Sequence, residues 1–224
     1  SPPYVTWSLI ALNFIIFFLQ VSSGSDSADN VDQMAALIPA TFTAAGASDA
    51  GLPAPLTLVT YTFLHANFLH VFGNMIFLFV FGDDIEEAIG HWRFLVFYVA
   101  CGVGSGLAFV LSDPSSTIEL VGASGAVAGV IAAYLMFRPC AKVTVLISVL
   151  PVRIRAFWVI GGWALWQVVE VASRTQDGVA YWAHVGGLTT GAILFVLMRP
   201  PGVALFECVQ PEQVTALGTA KPPS

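Results

Sequence analysis

Charge is the scarcest commodity in this sequence. Asp, Glu, Lys and Arg make up 10% of its 224 residues, against about 25% in soluble domains. Lys and Arg number 8 against 14 Asp and Glu, for a net charge of −6. No Lys- or Arg-rich run occurs, which excludes the usual footprint of a nucleic-acid binder. Cysteine is also sparse: Cys101, Cys140 and Cys208 are scattered, with no CxxC pair and no disulfide framework. Cys101 falls inside an apolar run and Cys140 close to one, where a small hydrophobe is the expected role. No His-Glu-x-x-His occurs, and Asp83 and Asp84 are adjacent, so zinc and paired-aspartate protease chemistry both lack their residues. No internal repeat points to a transporter built from inverted halves.

What is abundant is apolar. Hydrophobic residues reach 57% and mean hydropathy is +0.81, the composition of a polytopic membrane protein. Six apolar segments separate cleanly, near residues 5–21, 68–81, 94–111, 124–137, 156–172 and 182–198. The first lacks a basic n-region and a small-residue cleavage site, so it reads as a span and not a signal peptide. The expected fold is therefore all-α, a six-transmembrane-helix core over residues 1–199. Residues 22–61 form a long outward loop, within which 34–42 is apolar enough to lie on the membrane surface. The second segment is expected to end at the acidic cluster Asp83, Asp84, Glu86, Glu87. Residues 143–152 are short and broken by Pro151, and read as an interfacial piece. The proline-rich residues 200–224 read as a mobile tail. With six spans, seven of the eight basic residues fall on the side of the N-terminus and only Arg174 on the other. That bias puts both termini in the cytoplasm, and the expected setting is a bacterial or archaeal plasma membrane.

The most informative stretch is Gly122-Ala123-Ser124-Gly125-Ala126-Val127-Ala128-Gly129. A serine opens an apolar helix whose small residues leave one face bald, and its first turn carries free backbone N–H groups. Ser124 lies fourteen residues from Arg138, roughly 21 Å above that end at 1.5 Å per residue. His184 lies fifteen residues from Arg199, roughly 22 Å up, and His70 thirteen from Asp83, roughly 20 Å. Three polar residues on three spans thus come out level. His184, Gly187 and Gly191 share a helix face, matching the small-xxx-small face of Gly125 and Gly129. If those faces meet, the hydroxyl and the imidazole come within hydrogen-bond reach, as nucleophilic catalysis requires. His70 and Asn74, at i and i+4, share a face of the second span. Asn13, Gln167 and Glu170 also fall in or near spans, where packing or water contact is the default.

With these residues assembled, the chain resembles the rhomboid family of intramembrane serine proteases across the six-span core. Gly122-Ala123-Ser124-Gly125 is similar to the family's GxSG motif, and Ala183-His184-Val185-Gly186-Gly187 with Gly191 to AHxxGxxxG. His65, His70 and Asn74 fit HxxxxHxxxN, and Gly82, Glu86 and Gly90 fit GxxxExxxG.

The resemblance implies an endopeptidase that cleaves single-pass transmembrane proteins near the outer face, with no cofactor and no metal. Ser124 would be the nucleophile and His184 the base, without a carboxylate. His70, Asn74 and the Ser124 N–H would hold the oxyanion. His65, Gly122, Gly125 and Gly187 would support the site, and Glu86 would be structural. By the same resemblance the fifth span, with Phe157, Trp158 and Trp163, is a candidate gate against the second. Ala128 departs from the pattern, because some members carry an aromatic there that stacks on the histidine. Tyr181 or Trp182 is a candidate to replace it. The alternative function is a non-catalytic rhomboid-like protein that escorts membrane clients, for which retention of both Ser124 and His184 has no use.

Overall fold

A computed structural model describes residues 1–22, 34–44, 52–147, 150–173, 180–206 and 208. Six long helices organise it: α1 (Tyr4–Ser22), α2 (Phe68–Ile89), α3 (His91–Ser112), α4 (Ser124–Phe137), α5 (Ala156–Ser173) and α6 (Tyr181–Met198). Shorter pieces are the helices Pro39–Thr43 and Ala54–Thr60, a 3₁₀ turn at Tyr61–Phe63, and a hairpin of β1 (Lys142–Ile147) and β2 (Leu150–Arg155). The rest of the long outward loop and the tail beyond residue 208 lie outside the described residues.

The bundle is apolar outside and carries its polar groups within. Trp7, Ile15, Leu69, Phe79, Trp92, Leu111, Trp158, Leu165 and Leu197 are exposed, whereas Thr6, Asn13, Gln20, Asn74, Glu86, Ser105 and Gln167 are buried. A surface that apolar needs lipid against it, so the chain is an integral membrane protein. Five of the six helices are long and apolar enough to cross a bilayer; α4 is the short one. Its 14 residues extend only about 21 Å, less than a hydrocarbon core of about 30 Å. The helix needs no lipid contact, because every residue from Gly125 to Tyr134 is buried among its neighbours.

Glycine sets how closely those neighbours approach. A Cβ on Gly187 would fall within the Gly125 backbone, and one on Gly191 within that of Gly129. The expected contact between α4 and α6 is therefore made backbone to backbone. A third helix joins it, since Cβ atoms at Gly125 and Gly129 would also strike Ser105 and Cys101 of α3. On the α3–α6 side, Gly104 leaves room for Thr190, and Gly186 for Ala108.

Four local readings change. The helix α2 runs through the acidic cluster to Ile89 and stops only at Gly90, whose φ of 86° suits glycine. Its Glu86 is 1% exposed and receives bonds from Val5 N (2.9 Å), Thr6 N (2.7 Å) and Thr6 Oγ1 (2.7 Å). The acid thus fastens the free N–H groups of α1 to the end of α2. Residues 143–152 belong to the hairpin, which pairs Lys142 with Arg155 and Ile147 with Leu150. Pro151 is tolerated because a two-stranded sheet has only edge strands. Leu37, in the stretch read as surface-lying, is fully buried and bridges Leu120, packing with Tyr61 and Val110. Finally, Cys140 and Cys208 form a disulfide with Cα atoms 5.3 Å apart. At a separation of 68 residues, spacing alone carried no sign of it.

Candidate active site

Ser124 is the first residue of α4, and the approach to it is built by the loop after α3. Leu120 pairs with Leu37 through N–H···O bonds of 3.2 and 2.9 Å, and Gly122 N then donates to Tyr61 O at 2.9 Å. Tyr61 is itself anchored, its hydroxyl donating to Gly102 O at 2.8 Å. Gly122 has φ 121°, and a Cβ there would lie 2.6 Å from His70 Cε1 and 2.8 Å from its Nε2. Only glycine satisfies both the dihedral and the space.

His184 sits in the first turn of α6, and its Nε2 lies 2.9 Å from Ser124 Oγ. On the other side of the ring, Nδ1 lies 2.7 Å from Gln167 Oε1. Trp163 places its ring 5.8 Å from the imidazole, tilted at 43°. Both side chains come from α5. An aromatic ring beside His184 is thus supplied from α5, by Trp163. Gln167 was legible only as one polar residue within an apolar helix. The added signal was its spacing of four from Trp163, which puts the two on one face.

Asn74 and His70 line the same open cavity as Ser124 and His184, a space of about 1000 Å³ bounded by α2, α5 and the loop before α4. Asn74 is 8% exposed, and its Nδ2 has no hydrogen-bond partner among the described residues. Asn67 caps α2 by accepting from His70 N at 2.9 Å, which fixes the turn that carries His70. His65 stands one step back. Its ring lies edge-on to His70 at 5.2 Å, and its Nε2 accepts from Ala123 N at 3.4 Å. Burial first, and then the neighbouring His70, pulls His65 down to about 4. The eight residues singled out from sequence therefore fall in one region: Ser124 and His184 touch, His70 and Asn74 share their cavity, and His65, Gly122, Gly125 and Gly187 pack around them.

A hydroxyl bonded to an imidazole, beside an unpaired amide donor in an open cavity, is the equipment of acyl transfer. Comparison with known proteins bears on the family of the chain. The family model described as "Rhomboid domain" matches residues 54–201. The chain is 30% identical over 171 residues to Rhomboid-like protein 11, chloroplastic, of Arabidopsis thaliana, covering 70% of this chain and 58% of that protein. It is 26% identical over 213 residues to Rhomboid protease AarA of Providencia stuartii, covering 86% and 71%. It is 33% identical over 138 residues to Rhomboid protease GluP of Bacillus subtilis (strain 168), covering 59% and 24%. For the plant and Bacillus relatives the match spans less than two thirds of their length.

Proposed function

The chain belongs to the rhomboid family, a family that includes serine intramembrane proteases, and from that premise we propose that it is itself an intramembrane serine endopeptidase. The observation that carries the proposal is the 2.9 Å approach of Ser124 Oγ to His184 Nε2 inside a cavity. In the proposed reaction Ser124 Oγ attacks the scissile carbonyl carbon while its proton passes to His184 Nε2. The oxyanion that forms is held by Asn74, His70 and the Ser124 N–H, and the unpaired Nδ2 of Asn74 supports this role. When the tetrahedral species collapses, the amine leaves with the proton from Nε2. Water, deprotonated by His184, then hydrolyses the acyl-serine and returns the enzyme to its starting state.

The substrates we propose are single-pass transmembrane proteins. The cavity is bordered by Leu69, Gly73 and Phe77 of α2 and by Trp163 of α5. This supports entry of a substrate segment between those two helices. The segment has to unwind locally, because a helix keeps its carbonyls engaged in its own hydrogen bonds. Residues 1–199 constitute the catalytic core, with both termini on the cytoplasmic side, as the basic residues favour.

The test uses the protein in liposomes with a panel of single-pass substrates and a fluorophosphonate probe. Ser124→Ala and His184→Ala are expected to lose cleavage and probe labelling while the bundle keeps its thermal midpoint. Turnover retained in either variant would overturn the dyad. Folded wild type that neither labels nor cleaves would favour the client-escort reading.

A further inference from the structure

The imidazole facing Ser124 is held from behind by a helix that none of the four sequence motifs touches. Gln167 is 3% exposed, and its Oε1 lies 2.7 Å from His184 Nδ1. A carboxamide oxygen can only accept, so this bond exists only while Nδ1 carries the hydrogen. A neutral imidazole protonated at Nδ1 keeps its lone pair on Nε2, the atom 2.9 Å from the Ser124 hydroxyl. One turn earlier on α5, Trp163 sets its ring against the same imidazole. At the place on α4 where an aromatic could have steadied the ring stands buried Ala128. The ring is thus bonded at its edge by Gln167 and flanked by the tilted ring of Trp163. Both reach it from α5, whose other side is turned outward with Trp158, Leu165 and Trp166 exposed.

We propose that Gln167 is a positioning residue that completes a Ser124–His184–Gln167 chain, fixing the His184 tautomer and ring plane so that Nε2 is ready to take the serine proton. The inference rests on the dyad proposed above. An amide suits this place because it directs the hydrogen without bringing a second charge into a membrane interior, where an ionised carboxylate is costly. Removing the hydrogen-bond partner behind a metal-bound histidine typically costs about 10–100-fold in activity, and a loss of similar size is expected for this imidazole.

The test compares wild type, Gln167→Leu, Gln167→Glu and Ser124→Ala, all as full-length protein in liposomes. Gln167→Leu is expected to lower kcat and the rate of fluorophosphonate labelling by about 10–100-fold, with KM and thermal midpoint close to wild type. Gln167→Glu is expected to recover most of that rate. It should also move the acid limb of the pH–rate profile upward, because a carboxylate favours the imidazolium that must first lose its proton. If the charged variant does not fold, the ring nitrogens decide. With ¹⁵N-histidine, His184 should show one tautomer, hydrogen on Nδ1, in wild type and a mixture in Gln167→Leu. A Gln167→Leu protein with wild-type kcat and the wild-type tautomer overturns the inference while leaving the dyad intact. Labelling that survives Ser124→Ala overturns the dyad reading instead. A kcat that merely follows a fall in thermal midpoint, with no movement of the pH profile or the tautomer, reduces Gln167 to a packing residue and also overturns it.

Discussion

Asn74 carries a buried amide nitrogen with nothing bonded to it among the described residues. Such a group costs about 1–3 kcal/mol of desolvation, and a fold keeps one where something else completes it. An oxyanion would do so, present only in the transition state. Asn74→Ala should therefore lower kcat by about 10²–10³-fold with little change in KM, while the thermal midpoint stays level or rises. A pure KM effect would make Asn74 a substrate-positioning group. His65 makes a different demand, because its Nε2 must stay unprotonated to accept from Ala123 N. Its value near 4 lies below the ordinary 6.5, so folding favours the neutral ring. The contribution is complete above 6.5 and fades as pH falls toward 4, by roughly 3 kcal/mol in all. Thermal midpoints measured across that window should fall more steeply for wild type than for His65→Asn; parallel curves would remove His65 from the acid response. Ser124, His184, His70 and Asn74 were legible because each belongs to a pattern of several residues on the right span. Gln167 was not, because a single amide in an apolar helix has several bland uses and only the folded chain shows that His184 lies beside it.

The helices differ in how much a glycine matters to them, and α4, α5 and α6 make the comparison sharp. Gly187 has no space for a Cβ, since the Gly125 carbonyl occupies it. Gly187→Leu should force α4 and α6 apart, at the typical overpacking cost of about 1–3 kcal/mol or more. The Ser124–His184 contact lies one turn away, so cleavage and stability should fall together. In α5, by contrast, a Cβ on Gly161 or Gly162 meets nothing within 4 Å. Gly161→Ala should be neutral or stabilising by up to about 1 kcal/mol, with activity retained. Normal activity in Gly187→Leu would mean that the backbone contact has been misplaced. The small-xxx-small pattern made the α4–α6 contact readable in advance. The part played by α3 was not, because Ser105 and Cys101 fill the gap from a helix with no catalytic motif to draw attention to it. Boundaries set by a change from apolar to basic or proline residues, such as Phe137 before Arg138-Pro139, were placed correctly from sequence. The lower end of α2 was not, since acidic residues mark where a helix leaves lipid and do not end the helix itself. There the terminator is Gly90, and Glu86 lies inside the helix, satisfying the backbone of α1.

At the scale of the whole molecule, two features at one end of the bundle pull in opposite directions. Arg93, Arg138, Lys142, Arg153, Arg155 and Arg199 sit at the start of α3, the ends of α4 and α6, and along the hairpin. The start of α1 joins them, because Val5 and Thr6 are bonded to Glu86 near the end of α2. A basic end faces the cytoplasm by the positive-inside bias. Yet the Cys140–Cys208 disulfide lies at this same end, and disulfides are rare in cytosolic surroundings. The basic residues should decide the matter, because orientation is set during insertion and thiol oxidation follows the compartment reached. On the proposed orientation both cysteines face a reducing compartment, where thiols are the expected form. The bond is not required to dock the tail, since Phe206 N donates to Met136 O at 2.7 Å. It still closes a 68-residue separation, worth about 4 kcal/mol by chain entropy, so reductant should lower the thermal midpoint of oxidised protein. Cys101 is fully buried and should stay silent, leaving Cys140 and Cys208 as native reporters of sidedness. In sealed spheroplasts an impermeant maleimide should leave both unlabelled, and in inverted vesicles it should label both. No labelling in inverted vesicles, with labelling from the outer face of spheroplasts appearing only after reduction, would reverse the orientation and put the Ser124 cavity, at the opposite end of α4 from Cys140, on the cytoplasmic side.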